Sequence, residues 1–192
     1  MMENDLDLPA HGLLDLWLCK FLLDQYGDDH SFDGLENRDC MVSWPINRSD
    51  VREGIDRVSK ATGKTLEEII YDAGLWITRQ ESIRRLLRFC GRDFEEFLQS
   101  VQELPGRVNL IYSSEILLDL RLSVERKDDN YIIHVSNTGA MIAHLVGGVI
   151  QGMADDYGTL AVVDVGCKRI EINVASLTYQ RKKSFRLSGA SA

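Results

Sequence analysis

Histidine and cysteine, the side chains that most often carry metal or nucleophilic chemistry, are scarce in this sequence. The 192 residues include four histidines and four cysteines, and no two cysteines stand at Cys-x-x-Cys spacing. A zinc knuckle or a dithiol redox motif is therefore not expected. No serine or cysteine stands with a histidine in a recognisable nucleophile motif. We predict that the protein is not an enzyme.

An excess of positive charge is also missing. The chain has 22 lysines and arginines against 30 aspartates and glutamates, which gives a formal net charge of −8. Proteins that bind nucleic acids normally present a basic face, so we expect no nucleic-acid partner. No uncharged apolar run approaches the roughly 20 residues of a membrane-spanning helix, and the acidic start lacks the basic region of a signal peptide. We therefore expect a cytoplasmic protein with no membrane partner.

A complete phosphate-binding loop is absent as well. Gly63-Lys64-Thr65 matches the end of such a loop, but the loop needs another glycine at position 58, which is Val58. We interpret Gly63 as the end of one helix and Thr65 as the start of the next. Glu68 supports this, because a glutamate three residues after a threonine completes a capping box.

Helical periodicity dominates the first half of the chain, and strand-like alternation dominates the second. Gly63 and Gly74 are expected to end the second and third helices. Two pairs of alternating segments flank an apolar helix, which indicates two β-hairpins joined by that helix. We predict an α+β fold with a helical part followed by a four-stranded antiparallel sheet. The predicted helices cover 12–26, 49–62, 65–73, 81–90, 92–104 and 139–157, and the predicted strands cover 115–125, 130–137, 159–166 and 168–179.

Length and composition favour one domain. The chain is 44% hydrophobic and 27% charged, which is ordinary for a globular protein. We predict a single domain over 12–179, made of a helical part (12–104) and a sheet part (105–179). Residues 1–11 are expected to form a tail, and 180–192 a flexible basic tail.

The helix predicted over 139–157 is unusually rich in glycine. Gly147, Gly148 and Gly152 each cost about 1 kcal/mol relative to alanine inside a helix. Another group must therefore approach this helix closely. Tight packing is the favoured interpretation, and a ligand cavity beside the helix is the alternative.

The order of these segments resembles the haem nitric oxide/oxygen-binding (H-NOX) family, the sensor domains of soluble guanylate cyclases and of bacterial stand-alone sensors. The resemblance runs over roughly residues 12 to 179. It is carried by GLLDLWLCKFLLDQYGDD, DVREGIDRVSKATGKTLEEIIYDAGLWI, LLRFCGRDFEEFLQSVQELPGRV and AMIAHLVGGVIQGMADDYG. It implies the H-NOX fold and a sensor function. Because no output domain is attached, it also implies a separate signalling partner, such as a histidine kinase or a cyclase.

Two departures from the family pattern concern haem. The resemblance places the family's iron-binding histidine at Pro105, and proline has no donor atom for iron. Its ring also favours the end of the helix near Leu104. The family's propionate-binding Y-x-S-x-R motif falls on 134–138, where His134, Ser136 and Thr138 stand and arginine is missing. We therefore predict that no haem is bound in the family's manner, and that the protein holds no cofactor and no metal.

Four functions remain open, and the fourth, a pure interaction scaffold with a filled core, is favoured if no cavity exists. The leading hypothesis is a haem-free sensor or regulatory domain that acts by protein–protein contact. The second is a haem-based gas sensor in which His134 binds the iron. The third is a binder of another small apolar molecule. For such a pocket, the candidate lining residues are Leu13, Trp17, Phe21, Leu98, Val101, Leu104 and Val146.

Overall fold

The structure is a computed structural model that describes residues 13–27, 48–111, 119–127, 130–137 and 139–175. The predicted tails, 1–11 and 180–192, lie outside the described residues. The helices are α1 (Leu13–Tyr26), α2 (Arg48–Thr62), α3 (Leu66–Arg79), α4 (Glu81–Arg88), α5 (Phe94–Ser100), a 3₁₀ turn (Val101–Glu103), α6 (Leu104–Ile111) and α7 (Ala140–Asp156). The strands are β1 (Arg121–Lys127), β2 (Asn130–Ser136), β3 (Ala161–Val165) and β4 (Arg169–Val174).

The four strands form one antiparallel sheet in the order β1-β2-β4-β3. The helix α7 joins the two hairpins, as predicted, and the α+β fold class is confirmed. In β2, Tyr131, Ile133 and Val135 are buried, whereas His134 and Ser136 are exposed. One face of the sheet therefore closes the core, and the other face is polar.

The predicted turn between α2 and α3 is confirmed. The helix α2 ends at Thr62, and Gly63 follows with a φ of +73°, a conformation that glycine adopts without strain. The Thr65 hydroxyl accepts a hydrogen bond from the Glu68 amide, and the Glu68 carboxylate accepts one from the Thr65 amide. This reciprocal pair fixes the start of α3.

Thr65→Ala is expected to destabilise the protein by about 1 kcal/mol, because the Glu68 amide loses its acceptor. Urea denaturation followed by circular dichroism measures this change. Thr65→Ser keeps the hydroxyl and should stay within a few tenths of a kcal/mol of wild type. Equal losses in the two variants would show that the hydroxyl does not stabilise α3.

The prediction that Gly74 ends the third helix is wrong, since α3 continues to Arg79. Gly74 lies where α3 crosses α7. A Cβ atom on Gly74 would overlap the Leu145 carbonyl oxygen and lie 2.9 Å from the Gly148 Cα. The glycine is therefore a contact residue that brings two helix backbones together, and it has no role in ending the helix.

The segment around Pro105 also differs from the prediction. The helix predicted over 92–104 is interrupted by the 3₁₀ turn, and a new helix, α6, starts at Leu104 and carries the helical part on to Ile111. In a continuous α-helix, the amide of residue 105 would donate to the Val101 carbonyl. Here the Leu104 amide donates to that carbonyl instead. Proline is tolerated in a first turn because its missing N–H has no partner there.

No helix within the described parts of the chain is both long enough and apolar enough to cross a membrane.

Candidate functional site

An apolar cavity of about 160 Å³ lies between the helical part and the start of the sheet. Its wall is formed by α1, α3, α4, α6 and α7, together with the start of β1 and Leu120 just before that strand. The fifteen lining residues that belong to the described part of the chain are all hydrophobic. They are Leu14, Trp17, Ile77, Ile83, Leu87, Leu104, Pro105, Val108, Leu120, Leu122, Ile142, Leu145, Val146, Val149 and Ile150.

The helix α7 forms the largest part of the wall. Its five lining residues recur at helical spacing along one face, from Ile142 to Ile150. The glycines of α7 allow this helix to pack closely against its neighbours. A Cβ atom on Gly152 would overlap the Thr78 hydroxyl of α3, and one on Gly147 would overlap Val165 of β3. Close packing therefore holds α7 in place while its apolar face borders the cavity.

The helices α1 and α4 contribute further parts of the cavity wall. Trp17 is fixed by an edge-to-face contact with Trp76, whose indole N–H donates to Asp24 at 2.6 Å. In α4, Ile83 and Leu87 are one helical turn apart and both are buried. These contacts give the cavity wall a defined shape.

Pro105 lies in the wall contributed by α6. It is buried, and Leu104 and Val108 flank it on the same helix. The residue at the position that the resemblance assigns to the iron ligand therefore faces the cavity with a hydrocarbon ring.

The other predicted lining residues divide into two groups. Trp17, Leu104 and Val146 line the cavity. Phe21, Leu98 and Val101 lie in the surrounding core and are at most 2% exposed. Leu13 begins α1, but its side chain is outside the described part of the structure.

His134 and Ser136, two positions of the degenerate propionate-binding motif, do not line the cavity. His134 lies on the outer face of the sheet, with its Nε2 atom 3.7 Å from Glu125 and half of its side chain exposed. Ser136 lies on the same face, and its hydroxyl donates to the Arg121 carbonyl at 3.4 Å. The alternation of β2 places both side chains away from the core. Thr138 lies outside the described residues.

Two titratable groups beside the cavity helices remain protonated at neutral pH. Burial raises the pKa of Tyr71 to about 12, and the negative charges of Asp155 and Asp72 act in the same direction. Burial also raises the pKa of the Cys90 thiol, although Arg107, 3.4 Å from the sulfur, lowers it. The structure therefore supplies neither a phenolate nor a thiolate at these two positions.

Among solved structures, the chain is similar to H-NOX domains. A mutant of the T. tengcongensis H-NOX domain matches with a TM-score of 0.64 and 19% identity, over 86% of this chain and 98% of that one. A Cs H-NOX mutant with an unnatural amino acid matches with a TM-score of 0.63 and 20% identity, over 85% and 95%. The chain has the H-NOX fold. No protein-family model matches the sequence, and no curated protein matches it.

A further H-NOX structure with 20% identity and a TM-score of 0.56 is an oxygen-binding domain related to soluble guanylate cyclases. It covers 85% of this chain, and this chain matches 93% of it. The predicted resemblance is thus confirmed at the level of the fold.

The lining residues do not fit a haem. Proteins bind haem iron through histidine, cysteine, methionine or tyrosine, and the described wall contains none of these. It also contains no arginine or lysine to pair with two propionates, and buried carboxylates without such partners are costly. The volume of about 160 Å³ is below the roughly 300–1,000 Å³ of pockets for drug-sized ligands. Within the described residues, no group of histidine, cysteine, aspartate and glutamate could hold a metal ion.

Most of the lining residues were not identified from the sequence. The signal was present in α7, because positions 142, 145, 149 and 150 share a helix face with Val146. In α4, and at Val108 of α6, the lining residues look like ordinary core in the sequence, and only the assembled structure distinguishes them.

Proposed function

We propose that the protein is a haem-free sensor domain of the H-NOX fold that takes a small, uncharged apolar molecule into its cavity and acts on a separate signalling protein, such as a histidine kinase or a cyclase. One observation carries the proposal: within the described parts of the chain, every residue that lines the cavity is hydrophobic, and Pro105 is one of them. Such a wall attracts ligands by burial of apolar surface, at about 25 cal/mol per Å².

The size of the cavity narrows the ligand class. An apolar protein cavity of about 150 Å³ stays dry and binds benzene or xenon. The cavity described above is of similar volume, so a single aromatic ring, a short hydrocarbon or a small uncharged gas fits it. A charged molecule would lose its hydration without gaining a partner, which excludes metabolites with carboxylates or phosphates.

The alternative, a haem-based gas sensor, draws support from the haem-binding domains that share the fold. Its iron ligand would be His134. That side chain points to the outer face of the sheet and lies beside Glu125, so it would have to cross the sheet to reach the cavity. The arrangement of described residues therefore favours the haem-free sensor.

We expect the protein, produced in cells supplied with haem, to show no Soret band at one haem per chain. Pro105→His should not restore the band, because an imidazole alone supplies neither the volume nor the positive charge that a haem needs. Absorbance and pyridine-haemochrome analysis of the purified proteins measure this. A stoichiometric band in the wild-type protein would overturn the haem-free assignment, and a band only in Pro105→His would show that the imidazole was the sole missing part.

A further inference from the structure

The helix α4 (Glu81–Arg88) has two unlike faces. Its inner face carries Ile83 and Leu87, which line the cavity. Its outer face carries Arg84, Arg85 and Arg88, whose side chains are 52%, 74% and 45% exposed. Directly after the helix, Phe89 is 84% exposed. We call these three arginines and Phe89 the outer patch.

The charge of the outer patch is opposite to that of the chain. Its three arginines are balanced by two carboxylates, Glu81 and Asp156, because Arg84 and Arg88 share Asp156. A positive excess therefore remains on the surface of a chain with a net charge of −8. The Arg85–Glu81 pair is exposed on both sides, and such pairs exchange partners at little cost.

Phe89 adds an apolar contact to this charged surface. A single exposed hydrophobic residue is common and needs no explanation. The combination of Phe89 with three arginines is more informative. Aromatic residues and arginine are enriched at protein–protein interfaces and are among the strongest contributors to binding energy there. Arginine also binds carboxylates through a planar pair of N–H donors.

We propose that the outer patch docks a partner protein through an acidic surface that also offers an apolar socket for Phe89. This rests on the proposed function, because it names where the signalling partner binds. A protein is favoured over a lipid surface or a nucleic acid, since the net charge of −8 repels those polyanions as a whole. A local acidic patch on a folded partner avoids most of that repulsion.

The position of α4 links the outer patch to the cavity. Ile83 and Leu87 of α4 line the same cavity as the apolar face of α7. At the end of α7, Asp156 holds Arg84 at 2.5 Å and Arg88 at 3.4 Å. Ligand and partner therefore act on the same pair of helices, and each should change the affinity of the other by the same factor.

The test uses a fluorescein-labelled helical peptide of glutamate and leucine, with a glutamine–leucine peptide of equal length for comparison. Fluorescence anisotropy at low salt measures binding to the full chain. We expect the acidic peptide to bind at least tenfold more tightly than the neutral one. We also expect Arg85→Glu combined with Phe89→Ser to lower the affinity for the acidic peptide at least tenfold.

The matched control combines Arg57→Glu with Leu160→Ser. Arg57 forms an exposed i,i+4 pair with Glu53 on α2, as Arg85 does with Glu81 on α4, and Leu160 is 74% exposed. This control should bind the acidic peptide like wild type. Equal loss in both double variants, or no binding by wild type, would overturn the proposal. Tighter binding to phosphatidylserine vesicles or duplex DNA than to the acidic peptide, lost in the α4 variant, would also overturn it.

A final measurement separates this inference from the proposed function. Saturating benzene should change the affinity of wild type for the acidic peptide at least threefold, and an unchanged affinity would overturn the link between patch and cavity. A stoichiometric haem spectrum would defeat the proposed function, whereas the comparison of the two double variants would still decide whether the outer patch binds an acidic partner.

Discussion

Gly148→Ala should lower the melting temperature by roughly 4–8 °C, which corresponds to a loss of about 2 kcal/mol in a domain of this size. A Cβ atom on Gly148 would overlap the Tyr71 carbonyl oxygen and lie 3.0 Å from both the Gly74 Cα and the Leu75 amide nitrogen. All three are backbone atoms, so α3 and α7 must move apart. Overpacking of this kind costs about 3 kcal/mol, and alanine returns about 1 kcal/mol through its higher helix propensity.

Gly106→Ala is the matched control for that substitution. Gly106 is also helical, but no heavy atom lies within 4 Å of the position of its Cβ. The control should therefore be as stable as wild type or up to about 1 kcal/mol more stable. Differential scanning calorimetry compares the two variants. A stable Gly148→Ala protein would show that the α3–α7 crossing tolerates separation and that the glycines are not required for close packing.

The elements themselves were largely predictable from the sequence, because their signals are local. Three examples are the Thr65–Glu68 capping box, the left-handed Gly63, and the alternation of Tyr131, Ile133 and Val135. In each, a few neighbouring residues determine the conformation. The order of elements then favoured the H-NOX fold, in which two hairpins are joined by one helix.

Two predictions failed, at Gly74 and Pro105, because the conformation there depends on more than the local sequence pattern. Gly74 resembles a helix end in sequence, yet its partner is Gly148, 74 positions further along the chain. Pro105 was expected to end a helix, but the 3₁₀ turn before it allows a new helix to begin. In both cases, tertiary packing and local backbone geometry decided between two outcomes that the sequence alone leaves open.

The candidate site was predictable in its chemistry more than in its location. The resemblance assigns Pro105 to the position of the family's iron-binding histidine, and the structure places its ring in the cavity wall. The part of the wall formed by Ile83 and Leu87 could not be recognised, because a cavity residue and a core residue have the same pattern along a helix.

Val146→Phe is expected to weaken the binding of benzene to this cavity at least tenfold. In the wild type, benzene at ten times its dissociation constant should stabilise the fold by about 1.4 kcal/mol and raise the melting temperature by roughly 3–6 °C. Val146 lines the cavity on the face of α7 that also carries Ile142 and Val149. A phenylalanine ring there occupies the space that the ligand needs, so the affinity should fall at least tenfold.

Val162→Phe makes the same substitution on the surface, where Val162 of β3 is 62% exposed. Because it leaves the cavity unchanged, this variant should keep the full thermal shift with benzene. Thermal denaturation of the three proteins with and without benzene separates the loss of binding from any change in stability caused by the ring itself. A shift that persists in Val146→Phe would place benzene elsewhere. The absence of a shift in wild type would remove the cavity as the sensing site, since burial of apolar surface is the only attraction that its described wall offers.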